Sequence, residues 1–230
     1  KMIYIDLGLS DYKEAYKVQC EVRNKVADGA FENTLIVTEH RSVITIGRKG
    51  SRGHLFRTGE FLAGLGIEVL DVDRGGDITY HGPGQLVAYS IFRLENEARD
   101  IHGFLRFLEE VGINFLSKYG IAAARMAGAT GVWVNGAKIA SIGIGVKKWI
   151  TYHGMAININ PDLRHFSFIK PCGISGVKIT SLESLLKERL DYLGSRAGVG
   201  IALNPQNGEV LALINLPSFD NNKIKAEDLI

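Results

Sequence analysis

One cysteine in this sequence is framed as a nucleophile would be. Cys172 lies in Lys170-Pro171-Cys172-Gly173-Ile174-Ser175-Gly176, where proline fixes φ and glycine permits backbone conformations that other residues avoid. Such a turn sets the thiol beside open backbone N–H groups, Gly173 among them, that could receive an oxyanion. The alternative is a small apolar side chain packed near a turn. The second candidate is Lys138, 34 residues upstream. Lys138, Ala140, Ile142, Ile144 and Val146 alternate along an apolar run, which places the lysine on one strand face with aliphatic neighbours. Buried lysine is uncommon unless paired or functional. A free thiol is only a few per cent thiolate at neutral pH, and a neighbouring cation raises that share. A desolvated amine can alternate between proton donor and acceptor, so a Cys172/Lys138 pair could run acyl transfer without a histidine base. His81 and His153 are the remaining candidates, and His153 in Tyr152-His153-Gly154-Met155 also fits a satisfied core position. These residues lack ligand spacing, and C-x-x-C and H-E-x-x-H are absent, so no metal site is expected.

The elements that must position these groups follow from periodicity. Residues 2–7 read as a strand, and Ser10 or Asp11 caps a helix to about Ala27. Its apolar face takes Tyr12, Ala15, Tyr16, Gln19 and Cys20, which makes Cys20 a packing residue. Thr34–Thr38 and Val43–Ile46 read as a hairpin turning at Glu39-His40-Arg41-Ser42. The glycine-spaced basic loop from Gly47 to Gly53 is either a solvated loop or a docking surface for an acidic partner. After a short helix near Gly59–Leu65 and a strand over Ile67–Val72, the run from Arg74 to Gln85 holds four glycines and one proline in twelve residues. That density lets backbone approach a ligand closely. It is no nucleotide-phosphate loop, because no Gly-Lys-Ser/Thr follows and it does not open a helix. A strand over Leu86–Leu94 precedes a helix over Asp100–Tyr119 that reads as scaffold. Thr130–Val134, Asn135-Gly136 and Lys138–Val146 form a hairpin, Ile150–Asn160 a further strand, and Ser181 caps a helix to Leu193.

With 230 residues, 46% hydrophobic and 23% charged, the chain can bury a core in one large domain or two small ones. A net charge of +2 without aromatic-interleaved basic runs excludes a nucleic-acid partner. Apolar runs are too short for a membrane span, and no signal-peptide core opens the chain. Two cysteines make no disulfide framework. Together these point to the cytoplasm and to a free Cys172 thiol.

Four blocks in order carry a resemblance. Arg74-Gly75-Gly76 with Thr79-Tyr80-His81-Gly82-Pro83-Gly84-Gln85 comes first, then Gly131-Val132-Trp133-Val134 with Lys138-Ile139-Ala140-Ser141-Ile142-Gly143. His153-Gly154 with Asn158 follows, and Pro171-Cys172-Gly173-Ile174 with Thr180-Ser181-Leu182 closes the set. Together they resemble the lipoyl(octanoyl) transferases over residues 1–195, and Glu39-His40 to Gly50 is similar to that family's earlier strand and loop. The resemblance implies an α/β (α+β) catalytic domain, a mixed central sheet flanked by helices as in biotin and lipoate protein ligases. It implies transfer of an octanoyl group from octanoyl-acyl carrier protein to a lysine of lipoyl domains in 2-oxoacid dehydrogenase complexes and of the glycine cleavage H protein. Cys172 matches the cysteine that carries the acyl thioester, and Lys138 the lysine that favours its thiolate and serves as acid and base. Arg74, Gly75, Gly76, Asp77, Ile78, Thr79, Tyr80 and His81, then Ser141, Ile142 and Gly143, then His153, Gly154 and Met155 match blocks that contact the acyl substrate. No cofactor is implied, because thioester to amide is downhill without a nucleotide. Arg48, Lys49 and Arg52 suit an acidic carrier protein. An ATP-dependent ligase of the same fold is the nearest rival, and it needs no nucleophilic cysteine. A catalytically silent binder of carrier protein or lipoyl domains would be marked by loss of Cys172 or Lys138. Residues 196–230 read as a separate tail; 198–222 resemble the opening strands of a penicillin-binding transpeptidase domain, without its S-x-x-K, as a strand pair about Asn207-Gly208.

Overall fold

A crossover begins the chain: strand β1 (Ile3–Ser10) and strand β2 (Thr34–His40) pair in parallel, joined through helix α1 (Tyr12–Ala27). In this computed structural model residues 1–174, 176–192, 198–203 and 210–216 are described. Every second residue of β2 from Thr34 to His40 is buried, which is the period of a strand with one covered face. Ala15, Val22 and Val26 of α1 cover it, packing against Ile36, and each fully buried aliphatic side chain contributes about 1.5–3 kcal/mol.

Strand β3 (Val43–Ile46) does not turn back on β2 as a hairpin. All four of its residues are buried, and it pairs instead with β4 (Glu68–Asp71) in parallel and β5 (Ile78–His81) antiparallel in a separate three-stranded sheet. The chain leaves the main sheet at Arg41, whose N–H donates to Ser10 O at 3.1 Å. A strand that is apolar on both faces gains more by entering a second core than by lining one face of the first. That second core gathers Ile44, Ile46, Ile78 and Tyr80 with Leu62 of helix α2 (Gly59–Gly64) and with Phe166 and Ile169.

The main sheet continues with β6 (Gln85–Ile91), helix α3 (Ile101–Ser117), β7 (Ala124–Met126), β8 (Ala129–Val134), β9 (Ala137–Lys147), β10 (Ile150–Asn158) and β11 (Lys178–Ile179). Its order is β1-β2-β6-β10-β9-β8-β7, with β11 added in parallel to β9. The β1/β2 and β9/β11 pairs are parallel and the others antiparallel, so the sheet is mixed. Asp100 caps α3 by accepting from the His102 N–H at 2.9 Å. Gly112 lets α3 lie close on the sheet, since a Cβ there would meet Val132 at 2.8 Å.

This part, Lys1–Ser181, is one compact unit, and Leu182–Ile230 is a second. The second holds helix α4 (Leu182–Tyr192) and an antiparallel pair, β12 (Gly198–Leu203) with β13 (Val210–Leu216). The expected turn at Asn207-Gly208 and the expected boundary near 195 lie outside the described residues. Among the described residues no helix is long and apolar enough to cross a membrane.

Candidate active site

Cys172 sits in a short 3₁₀ turn, Pro171–Gly173, and has φ 57° and ψ 16°. A left-handed conformation is uncommon for a residue with a Cβ, and such strain concentrates at functional positions. Gly173 follows with φ +67°. The sequence suggested the Gly173 N–H as an oxyanion donor, but it is engaged: it donates to Lys170 O at 3.0 Å, closing the turn. Ser175 lies outside the described residues.

Lys138 Nζ donates to Cys172 Sγ at 2.9 Å and to Thr130 O at 2.8 Å, and lies 5.3 Å from the centre of the Trp133 ring. The lysine is 3% exposed. Simple alternation put it on a face with Ala140, Ile142 and Ile144. The structure differs because the ladder slips: Val132 pairs with Ala140 but Trp133 with Lys138, leaving Ile139 as an extra residue on β9. A bulge of one residue exchanges the two faces. Ile144 therefore packs with Phe104 and Leu108 of α3, joined by Ile142, while Lys138 reaches the thiol. Gly131 is required beside it, having φ +140° and no room for a Cβ, which would meet Lys138 Cε at 2.5 Å.

Both residues open on a cavity of about 390 Å³, at the small end of the range for ligand pockets. Its wall takes Arg74, Gly76, Asp77, Ile78, Thr79 and His81 from the glycine-rich block, Ser141, Ile142 and Gly143 from β9, and His153, Gly154 and Met155 from β10. Val87, Ala156 and Ile174 add apolar surface. Gly75 is not in this wall; its N–H donates to Ile144 O at 2.8 Å, and Gly143 opposite has no room for a Cβ, which would meet Gly75 O at 2.6 Å. These glycines let loop and strand lie against each other. Tyr80 is also outside the wall, buried in the second core with its hydroxyl bonded to Ser42 Oγ at 3.1 Å and to His165 Nδ1 at 2.8 Å.

Arg74 is buried, with Nη2 donating to Thr45 O at 2.8 Å and Nε to Thr45 Oγ1 at 3.2 Å. Burial lowers its pKa from the ordinary arginine value. His81 shares Nδ1 with Gln85 Oε1 at 3.1 Å, and burial, reinforced by His40 and Arg74, holds it neutral at pH 7. His153, in the left-handed region at φ 59°, places Nε2 2.8 Å from Asp73 Oδ1. Asp73 also accepts from the Tyr152 hydroxyl at 2.7 Å and Tyr16 at 3.0 Å. The His153 bond, with those from Tyr152 and Tyr16, holds the Asp73 carboxyl well below the usual carboxylate range.

Several cavity neighbours went unmarked as site residues in the sequence: Tyr12, His54 and Tyr89 join the wall, as does Lys49 of the basic loop, and His40 Nε2 meets the Tyr89 hydroxyl at 2.5 Å. Helical spacing explained Tyr12 fully as core, so nothing flagged it. The α3 scaffold also carries a buried carboxylate, Glu109, that accepts from the Gly131 N–H at 3.1 Å and from Arg106 at 2.6 Å. The basic loop is not one charged face: Arg52 is paired with Asp71, Arg48 Nη2 donates to the Tyr152 hydroxyl at 3.3 Å, and Lys49 turns to the cavity. Among the described residues no three His, Cys, Asp or Glu side chains gather as a metal site.

This mixed α/β fold is shared with lipoate-protein ligases of known structure. Lipoate-protein ligase A bound with ATP superposes with a TM-score of 0.62 at 14% identity, over 81% of this chain and 77% of that one, a likeness of fold. Residues 11–193 match the model of the lipoyl protein ligase A/B catalytic domain. The chain is 43% identical to an octanoyltransferase of Geotalea uraniireducens (strain Rf4), over 86% of this chain and 90% of that protein. It is 47% identical to one of Caldicellulosiruptor bescii, over 81% and 82% respectively. This chain belongs to the octanoyltransferase family, and it is an acyltransferase.

Proposed function

We propose that this enzyme moves an octanoyl group from the thioester of an acyl carrier protein to a lysine of a lipoyl domain, through a thioester on Cys172. The acceptors would be lipoyl domains of 2-oxoacid dehydrogenase complexes and the glycine cleavage H protein, in the cytoplasm. The observation that carries this is the 2.9 Å contact between Lys138 Nζ and Cys172 Sγ at an apolar cavity. Across that contact the thiol proton passes to the amine, giving a thiolate and an ammonium held by Thr130 O. Cys172 sulfur attacks the thioester carbonyl; its bond to carbon forms as the pantetheine C–S bond breaks, and Lys138 gives its proton to the leaving sulfur. The octanoyl chain occupies the cavity along Val87, Ala156 and Ile174. Arg74, His81 and His153 edge the same space, and neutral His81 favours an uncharged ligand there.

Incubation with octanoyl-acyl carrier protein in the absence of ATP should add one octanoyl mass to the protein, on Cys172. Cys172→Ala should abolish the adduct, and Lys138→Met should slow its formation about 10²–10⁴-fold, the usual worth of a positioned acid and base. No adduct on the wild type, or an ATP requirement, would overturn the proposal in favour of a ligase.

A further inference from the structure

We infer that His54, held by Asp77, is the base that takes from the incoming lysine the one proton the Cys172/Lys138 pair cannot absorb. The inference rests on the acyl-thioester route proposed above, and it begins from a count of protons. Lys138 leaves the first half-reaction neutral, having protonated the pantetheine sulfur. The acceptor lysine arrives as an ammonium at neutral pH and ends as an amide N–H, so its nitrogen must lose two protons. One returns to Lys138 as Cys172 leaves as thiolate, restoring the starting pair. The other needs a second acceptor with access to solvent.

His54 meets those conditions. It stands in the wall of the cavity that holds Cys172, and its side chain is 26% exposed where Asp77 is 11% exposed. Its position is fixed by the same stretch of chain that fixes the nucleophile. The Lys170 N–H donates to His54 O at 2.8 Å, the Phe56 N–H donates to Phe168 O at 2.8 Å, and Leu55 forms a bridge with Ile169. The cysteine turn follows directly. A Cβ added at Gly173 would meet His54 Cε1 at 3.2 Å and press on Asp77 Oδ2, so the imidazole and carboxylate border the residue after the nucleophile. Asp77 is oriented in turn, its Oδ1 accepting from the Ile78 N–H at 2.7 Å while Oδ2 lies 2.7 Å from His54 Nδ1. The Asp77 carboxylate beside Nδ1 stabilises the positive charge that forms when Nε2 takes a proton. His54 Nε2 first takes one proton from the ammonium. The freed lone pair then bonds to the thioester carbon, the nitrogen's second proton passes to Lys138 as the C–S bond breaks and Cys172 leaves as thiolate, and His54 passes its proton to water.

The test separates the two nucleophile types. Acyl-enzyme is prepared with octanoyl-acyl carrier protein and discharged either to a lipoyl domain or to hydroxylamine, which is uncharged at neutral pH and brings no surplus proton. In His54→Gln, discharge to the lysine should fall about 10²–10⁴-fold, and discharge to hydroxylamine at least tenfold less than that. Asp77→Asn should show the same selectivity with a smaller loss. Equal losses with both nucleophiles, or a wild-type rate to the lysine, would overturn the inference while leaving the thioester intact. Failure of the wild type to form acyl-enzyme would remove the route itself.

Discussion

Replacing Gly131 by alanine tests whether the lysine's position, as well as its presence, sets the rate. The new methyl group would lie 2.5 Å from Lys138 Cε and 2.6 Å from Ala140 O, where ordinary contact begins at 3.4 Å. Both contacts must open, by about 0.9 Å at Lys138 Cε and about 0.8 Å at the Ala140 carbonyl. The Ala140 carbonyl belongs to a ladder bonded on both sides, whereas Lys138 Cε is a methylene near the end of a flexible chain, so the lysine moves more. Its 2.9 Å contact with Sγ is then lost. A misplacement of about 1 Å costs on the order of 10²-fold in rate. The backbone at φ +140° adds a stability cost of about 1–3 kcal/mol. Rapid-quench mass spectrometry gives the rate of acyl-enzyme formation, and urea denaturation the stability. Gly136→Ala is the control, because that glycine has φ +78° in the same hairpin but open space around it. It should lose stability and keep its rate. A Gly131→Ala enzyme that acylates at the wild-type rate would refute the claim that this contact governs thiol reactivity.

Other expectations follow from individual contacts. Glu109 is 0% exposed and holds Arg106, Arg125 and the Gly131 N–H, so Glu109→Gln should cost about 3 kcal/mol in urea denaturation; unchanged stability would refute that anchoring. Burial lowers the His40 pKa from 6.5 to about 4. Below pH 6.5 the unfolded chain binds a proton that the folded one refuses, so stability falls as pH drops, by about 3 kcal/mol at pH 4 for this residue, and levels off below. His40→Gln should flatten that slope by about one proton in pH-dependent melts, and an unaltered slope would exclude His40 as its source. Arg52 is already paired with Asp71 while Lys49 faces the cavity. Lys49→Glu should therefore raise the apparent KM for carrier protein more than Arg52→Glu, and equal effects would restore a uniform docking face.

Local pattern made much of this protein legible. The Pro-Cys-Gly frame, the glycine-dense block, the two long amphipathic helices and the Asn-Gly hairpin all depend on residues within a few positions of one another. Periodicity and turn chemistry report such relations directly. The sequence also marked Lys138 as an odd residue in an apolar strand, though the face it assigned was reversed by a bulge at Ile139. Alternation has no way to register one extra residue opposite Trp133, because that depends on the partner strand. The fork between β2 and β3 was hidden for a similar reason: two short apolar runs joined by a polar turn read alike whether they share a sheet or divide between two. Tertiary structure alone decided which distant groups meet. Lys138 and Cys172 are 34 residues apart, and His54 and Asp77 reach Gly173 from two further segments. Glu109 looked like one more charge on a helix until α3 was laid over Gly131. Residue types and spacing could name the chemistry available to the chain. Its geometry required the burial of two cores, which fixes separations between segments that no local preference encodes.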